Sequence, residues 1–322
     1  MITIAGSGVS GSYLALLLKN GGFDVTAYDP RREYYYIPCG YATNYYLIRD
    51  MLRRVNVEFD DFLLSMGKTV TFSREDGKSF HFRCRGLCTY DKNALSDHMN
   101  SMVGTVRAKP PKKNPETMVD CTGISRYYLG PLPNDFRMRT KEFLTAAADH
   151  RDFYFRYFRN GRGYYWEFPL GESFHIGAGS DSLEILEESL RGISGSRVTG
   201  RDIRLRFAID GISNGKVIGC GESIGTVSPV TGEGILPSME CADLLYRAIT
   251  SSSDMEGVLE RYRNALAEKF RRFVLLFELL QKARSGSLVQ LRNFRYLWPA
   301  LEDLRHFGID ISAPKLIAAL IR

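Results

Sequence analysis

Along the 322-residue chain the hydrophobic positions change rhythm several times, and each rhythm predicts a different element. Residues 2–6 form a short apolar run with the character of a buried strand. From Gly11 to Lys19 the run Ser-Tyr-Leu-Ala-Leu-Leu-Leu predicts a short buried helix, and Phe23 to Tyr28 predicts a second strand. Together these make a β-α-β unit with its first strand at Met1. A Tyr-rich loop around Tyr34–Tyr46 follows, then a helical patch near 46–54. Strands are expected near 69–73 and 78–83, joined by a hairpin turn at Asp76-Gly77. Another helix is expected near 92–102. Beyond it, Lys109-Pro110-Pro111-Lys112-Lys113-Asn114-Pro115 carries prolines that forbid continuous helix or central strand, so it reads as an exposed loop.

Residues 131–209 hold alternating aromatic stretches, among them Asp152-Phe153-Tyr154-Phe155-Arg156-Tyr157-Phe158 and Tyr164-Tyr165-Trp166-Glu167-Phe168. That patterning suits a mostly antiparallel sheet. From residue 234 onward helical spacing takes over: Leu259, Tyr262, Leu266, Phe270, Phe273, Phe277 and Leu280 recur every three or four residues and predict one apolar face of a long helix. No internal repeat is present. The expected fold class is α/β with α+β elements. A Rossmann-type dinucleotide-binding domain would comprise residues 1–130 and 210–255, and an interleaved, mostly antiparallel β substrate domain residues 131–209. Residues 45–85 would contribute in part to the substrate side, and 256–322 would form a helical C-terminal tail.

Composition narrows this picture. With 44% apolar and 25% charged residues the chain is a globular protein rather than a disordered or collagenous one. No uncharged apolar run approaches the roughly 18–20 residues of a membrane-spanning helix. The start, Met-Ile-Thr-Ile-Ala-Gly, lacks the basic region and cleavage site of a signal peptide, so a cytoplasmic location is expected. Of the six cysteines only Cys84 and Cys88 are close, and with no second ligand pair neither a zinc site nor a disulfide scaffold follows. His81, His98, His150, His175 and His306 show no metal or triad spacing, and no metal is expected. The basic loop at 109–115 lacks interleaved aromatics, so no nucleic-acid partner is expected.

The chemistry begins at Gly6-Ser7-Gly8-Val9-Ser10-Gly11, between the first strand and the first helix, with Asp29 about 20 residues further on at the end of the second strand. Gly6 would allow the tight turn, Gly8 would let the backbone approach a pyrophosphate, and Gly11 would let helix pack closely on strand. The helix-terminal N–H groups, Val9 and Ser10 among them, would face the anion, and Asp29 would accept hydrogen bonds from the adenosine ribose. This fingerprint alone does not distinguish FAD from NAD.

Four further segments do. Residues 221–235, from Gly221-Glu222 through Pro229 to Gly232-Glu233-Gly234-Ile235, resemble the second FAD-binding motif of the geranylgeranyl reductase family of flavoproteins, relatives of the p-hydroxybenzoate hydroxylase-like enzymes. Tyr164-Tyr165-Trp166-Glu167-Phe168-Pro169, followed by Ile176-Gly177-Ala178-Gly179, is similar to the family motif that lines the substrate cavity. Ile37-Pro38-Cys39-Gly40 resembles the Pro-Cys-Gly segment that places a cysteine near the flavin, and Asp120-Cys121-Thr122-Gly123-Ile124-Ser125 resembles a short motif of related hydroxylases and reductases. The segments agree in order and spacing over roughly residues 1–250. Two departures stand out besides a shorter chain: Glu222 replaces the usual Asp, and Lys92 stands where the family commonly carries an Arg beside the pyrophosphate.

The resemblance implies FAD, held by Gly6, Gly8, Val9, Ser10, Gly11, Asp29, Cys39, Gly40, Lys92, Gly123, Gly221, Glu222, Pro229, Gly232, Glu233, Gly234 and Ile235. It implies a substrate site of Tyr164, Trp166, Phe168 and Pro169, with Cys39, Tyr165 and Trp166 as the catalytic candidates. The glycine turn at 232–234 would open a helix whose positive end faces the flavin edge where negative charge develops on reduction. The implied reaction is reduction of an isoprenoid C=C bond by hydride from reduced flavin. A class A flavin monooxygenase and a flavin-binding electron-transfer protein are the alternatives. With one fingerprint only, the electron donor would be a redox protein or a transiently bound NAD(P)H.

The net charge of +6 is concentrated in residues 261–322, where 12 Lys and Arg face 5 Asp and Glu. Phe294, Tyr296, Leu297 and Trp298 lie among Arg292, Arg295 and Arg305, and Leu316 to Ile321 is apolar between Lys315 and Arg322. Two readings remain open: peripheral contact with an anionic membrane surface, or helices that cap the core with solvated charges outside.

Overall fold

The computed structural model describes residues 1–31, 36, 39–110, 117–286 and 295–321, without the side chains of 318–321. In the first third lie β1 (Ile2–Ala5), α1 (Val9–Asn20), β2 (Val25–Tyr28), β3 (Ala42–Asn44), α2 (Tyr45–Arg53), β4 (Leu63–Met66), β5 (Thr69–Arg74), β6 (Ser79–Cys84), β7 (Leu87–Tyr90) and α3 (Lys92–Val103). The middle holds β8 (Thr117–Asp120), β9 (Arg137–Thr145), β10 (Phe153–Tyr157), β11 (Gly163–Leu170), β12 (Ser173–Ser180), α4 (Leu183–Ser189), β13 (Arg197–Arg204), β14 (Ser213–Asn214) and β15 (Val217–Gly219). Last come α5 (Ile235–Thr250), α6 (Met255–Lys269), α7 (Arg271–Arg284), α8 (Leu297–His306), β16 (Ile309–Asp310) and α9 (Ala313–Ile321).

The mixed α/β architecture rests on two main sheets. The first has the order β14-β15-β8-β1-β2, parallel except for the β14–β15 hairpin. Helix α1 connects β1 to β2 and is buried from Val9 to Leu18, which is why its sequence is apolar nearly all round rather than on one stripe. It is enclosed by the sheet, α3 and α5. Helix starts follow their caps: Asn44 accepts from Tyr46 N–H to begin α2, and Asp91 accepts from Asn93 and Ala94 N–H to begin α3.

The second sheet has the order β13-β9-β12-β11-β10-β5-β6-β16, antiparallel except where β10 runs parallel to β5. Strands β3, β7 and β4 form a small third sheet. One face of the large sheet packs against α4 through Phe143, Tyr154, Tyr165 and Ile176, and the other carries Tyr164, Trp166 and Phe168. The hairpin turn at Gly77 takes φ +83°, as its Asp-Gly sequence predicts.

Two expectations change. The Tyr-rich loop ends at Tyr41, because Ala42–Asn44 pair with Leu87–Thr89 as a strand. Its Tyr34 and Tyr35, with Ile37 and Pro38, lie outside the described residues, as does the proline-rich stretch from Pro111 to Pro115. The single long helix expected over 259–280 is two helices, α6 and α7, broken at Phe270. Neither proline nor glycine causes the break. Phe270 is fully buried between Phe207 and Phe273, at ring-centroid distances of 5.2 and 5.3 Å, and the turn keeps the apolar face on a curved core.

The C-terminal region folds back on the large sheet. Leu301, Leu304, Phe307, Ile309 and Ile311 join the core that holds Val70, Phe82 and Phe155. Four of its basic residues are in ion pairs: Lys269 with Glu240, Arg272 with Glu302, Arg284 with Asp181 and Arg295 with Glu278. Trp298 is 67% exposed. Arg292, Phe294 and Arg322 lie outside the described residues. Among the described residues no helix is long and apolar enough to cross a membrane.

Candidate active site

A cavity of about 570 Å³ lies between the two main sheets. One end is made by the β1–α1 turn. Gly6 takes φ +89°, and a Cβ there would stand 2.5 Å from the Cys121 carbonyl oxygen. A Cβ on Gly11 would stand 2.0 Å from the Gly6 carbonyl oxygen, so close packing of helix on strand requires glycine; Gly11 itself does not line the cavity. Gly8 is different. Its φ of −75° is open to any residue, and a Cβ would find nothing nearer than Arg31 Nη2 at 3.9 Å. No contact among the described residues calls for glycine there. The space before Gly8, Val9 and Ser10 suits a phosphate group drawn to the start of α1, which no side chain caps.

Asp29 sits at the edge of this end, buried. Its carboxylate accepts from Ser7 N–H at 2.8 Å and Arg31 N–H at 3.0 Å and is paired with the Arg31 guanidinium. Burial alone would raise its pKa, but Arg31 and these donors hold it below the usual carboxylate range. Arg31 thus shares Asp29 with any ribose that approaches. Lys92 opens α3, is buried against the cavity, and its pKa is lowered by burial.

Further along, Gly123 and Glu222 face each other, and Glu222 is paired across the cavity with Arg201 on β13. Gly232, Glu233, Gly234 and Ile235 line the cavity at the start of α5. Pro237 falls in the first turn of that helix, where its missing N–H costs no bond. Glu233 Oε1 accepts from Thr43 Oγ1 at 3.1 Å and Leu236 N–H at 2.9 Å; full burial pushes its carboxyl up to about 8. Near neutrality it is mostly uncharged and leaves the positive end of α5 unneutralised.

The aromatic end comes from β11. Tyr164, Trp166 and Phe168 line the cavity because alternate residues of a strand share a face. Opposite Trp166 and Tyr164 on β12 stand Gly177 and Gly179. A Cβ on Gly177 would lie 2.3 Å from the indole ring, so the glycine gives Trp166 its place on the sheet. Trp166 Nε1–H has no acceptor among the described residues. Cys39 and Gly40 complete the wall, with Gly40 so close to Phe168 that a Cβ would stand 2.9 Å from its ring. The two ends are bolted together: Tyr164 OH donates to the Thr231 carbonyl at 3.0 Å, and Gly232, at φ +69°, has no room for a Cβ beside that hydroxyl.

Besides Gly11, four of the expected site residues lie outside the cavity lining. Tyr165 points to the opposite face of β11, where its hydroxyl donates to Glu167 Oε1 at 2.9 Å; it packs in the cluster beside α4 and does not line this cavity. Pro169 is out of phase with Trp166 and Phe168, and its carbonyl accepts from Thr89. Gly221, at φ +74°, packs on Ser10, and Pro229 is buried away from the cavity. Conversely, Glu142, Arg201, Tyr41 and Thr140 line the cavity without having been singled out, with Tyr36 and His175 packed beside them. For Glu142 a signal existed: Met138, Thr140 and Glu142 share one phase of β9, and a carboxylate in phase with a core residue is unusual.

The chain matches no family model. Over 135 residues it is 27% identical to the digeranylgeranylglycerophospholipid reductase of Methanococcus vannielii, a match that covers 35% of this chain and 34% of that protein, so it spans about a third of that relative's length. A geranylgeranyl bacteriochlorophyll reductase-like protein of Thermoplasma acidophilum is similar in structure over 99% of this chain and 98% of its own, with TM-score 0.73 and 14% identity. A Pseudomonas aeruginosa protein provisionally assigned as an FAD-dependent monooxygenase gives TM-score 0.65 at 17% identity, covering 93% and 98%. A tryptophan 6-halogenase of Streptomyces toxytricini gives 0.65 at 15%, covering 92% and 84%. The chain therefore shares one fold with this reductase-like protein, this monooxygenase and this halogenase.

Proposed function

We propose that the chain is an FAD-dependent oxidoreductase acting on an apolar small molecule, and that its reaction is reduction of an isoprenoid C=C bond in a geranylgeranyl-type lipid, a polyprenyl phosphate or a prenylated quinone. The observation that carries this reading is the meeting of a glycine-built anion cradle and an aromatic wall in one cavity. The partial sequence match to a lipid reductase supports the isoprenoid.

In this reading the β1–α1 turn, Asp29 and Lys92 hold the dinucleotide, Gly123 and Glu222 the ribityl chain, and Gly232–Ile235 the ring. Bound and reduced, FAD supplies the hydride. The chain's own residues do the rest. The start of α5 offers N–H groups and its positive end to negative charge on the ring, and neutral Glu233 preserves that field. Tyr164, Trp166 and Phe168 exclude water and hold an apolar chain, while Trp166 Nε1–H, with no acceptor among the described residues, donates to an acceptor that enters. Cys39 orients the reacting groups. Electrons arrive from a redox protein or NAD(P)H, and contact of Trp298 and the basic C-terminal region with an anionic membrane surface in the cytoplasm brings the lipid.

FAD-loaded protein reduced with dithionite under anaerobic conditions should convert one member of a panel of polyprenyl phosphates, lipids and quinones to a product heavier by one H₂ per bond, seen by mass spectrometry. The likeness to a monooxygenase and a halogenase favours a second reading, hydroxylation. NAD(P)H-dependent, substrate-stimulated oxygen uptake with a hydroxylated product would replace the first reading by the second. FAD reduction without turnover of any substrate would point to electron transfer, and protein that cannot take up FAD would end all three. Liposome co-sedimentation that ignores anionic lipid and salt would remove the membrane contact.

A further inference from the structure

One acidic side chain of the cavity has no part in holding the cofactor as described above. Glu142 stands on β9, lines the cavity and is 3% exposed. Three donors converge on its Oε1: the Cys39 N–H at 2.9 Å, the Tyr36 hydroxyl at 3.1 Å and the Thr199 hydroxyl at 3.4 Å. An oxygen so engaged as acceptor does not carry an acid proton, so Oε2 is the oxygen left to carry one. Tyr36 is held in turn, its hydroxyl 2.9 Å from His175 Nε2 and its ring under the Arg197 guanidinium at 4.4 Å.

Burial is the largest influence on Glu142 and pushes its carboxyl up, against the opposing pull of the donors and of Lys92 from α3. The other groups facing it do not overturn that balance. Arg201 on β13 is committed to Glu222, and burial pushes the Tyr41 phenol up. Burial pushes His175 on β12 down to about 4, so that ring is uncharged near neutrality. Buried phenols are poor competitors for the role of acid: Tyr36 and Tyr164 are also pushed up.

We propose that Glu142 is the catalytic acid that protonates the substrate, with Tyr36 and His175 as positioning residues; this rests on the C=C reductase reading. Reduction of a double bond needs both halves of H₂. When hydride adds to one carbon, the π pair must form a C–H bond at its neighbour by taking H⁺ from an acid. The Glu142 Oε2–H bond breaks, its electron pair stays on the carboxylate, and water entering the cavity returns the proton between turnovers. The two electrons come from the reduced cofactor, so atoms and charge balance.

Infrared difference spectra across a pH series, in H₂O and D₂O, read the acid directly without turnover. The wild type should show a protonated-carboxyl band that persists above the ordinary glutamate range, shifts in D₂O and is absent from Glu142→Gln. Tyr36→Phe, which removes a donor to the carboxylate, should move loss of that band to higher pH; a role confined to packing would not. In FAD-loaded, dithionite-reduced protein, Glu142→Gln should retain the flavin spectrum and lose roughly 10²–10⁴-fold in the rate of double-bond reduction, with Glu142→Asp restoring part of it. Absence of the band, or turnover by Glu142→Gln at the wild-type rate, overturns the acid while the reductase reading stands. Wild-type protein that makes hydroxylated instead of reduced product overturns both.

Discussion

The two ends of the cavity are built from different material. At the cofactor end the ligand would meet backbone: the turn at Gly6–Gly11 and the start of α5 present N–H groups, and glycine keeps side chains out of the way. At the aromatic end the ligand would meet side chains brought together by strand pairing, with Glu142 from β9, Trp166 from β11 and Arg201 from β13. A backbone-built site depends on a few adjacent residues, whereas a side-chain-built site depends on the register of a whole sheet. Mutations should therefore fail differently at the two ends.

Trp166→Ala should have the largest effect, roughly 3–5 kcal/mol of stability by urea unfolding, since a large buried ring leaves a cavity that Gly177 cannot fill. Protein that still folds should bind FAD and lose the apolar substrate. Gly11→Ala should cost roughly 1–3 kcal/mol, because the Gly6 carbonyl it meets is backbone and cannot step aside, and FAD absorbance should be lost with it. Gly8→Ala is the sharper test of the same end. Nothing among the described residues crowds the new methyl, so stability should be near wild type while FAD affinity falls by about tenfold or more, or ~1.4 kcal/mol. Unchanged affinity in a titration would break the idea that this glycine is reserved for a ligand.

Glu233→Gln should change the pH dependence. The folded carboxyl is raised to about 8, so between the ordinary glutamate value and that pH the folded state holds a proton the unfolded chain has released. That term lowers stability as pH rises through the window, and the substitution should flatten the slope. The smallest effect belongs to Tyr165→Phe: about 0.5–1.5 kcal/mol for the hydrogen bond to Glu167, with the turnover rate unchanged. A large loss of turnover with native stability would return Tyr165 to the site.

These contrasts explain what the sequence reveals. The glycine turn, the β-α-β unit, the Asp-Gly hairpin and the aromatic alternation of β11 are local, and each is legible from neighbouring residues. The alternation even identifies the partners Tyr164, Trp166 and Phe168; a motif read as a string, however, puts Tyr165 with them, and only the pleat separates it. Glu142 and His175 escape because their meaning arises where β9, β12 and the loop at Tyr36 and Cys39 converge. The break at Phe270 escapes for a related reason: helical spacing continues through it, and the packing against Phe207 that turns the chain is long-range.

The last strand, β16, has only two residues, yet it occupies the outer flank of the large sheet, where Ile309 and Asp310 pair with Cys84 and Arg83 of β6. An uncovered edge offers unpaired N–H and C=O groups to any other extended chain. The C-terminal segment therefore covers one end of that flank: a chain cut before Ile309 should uncover Arg83 and Cys84 of β6, and its first symptom should be aggregation in solution rather than a change in chemistry.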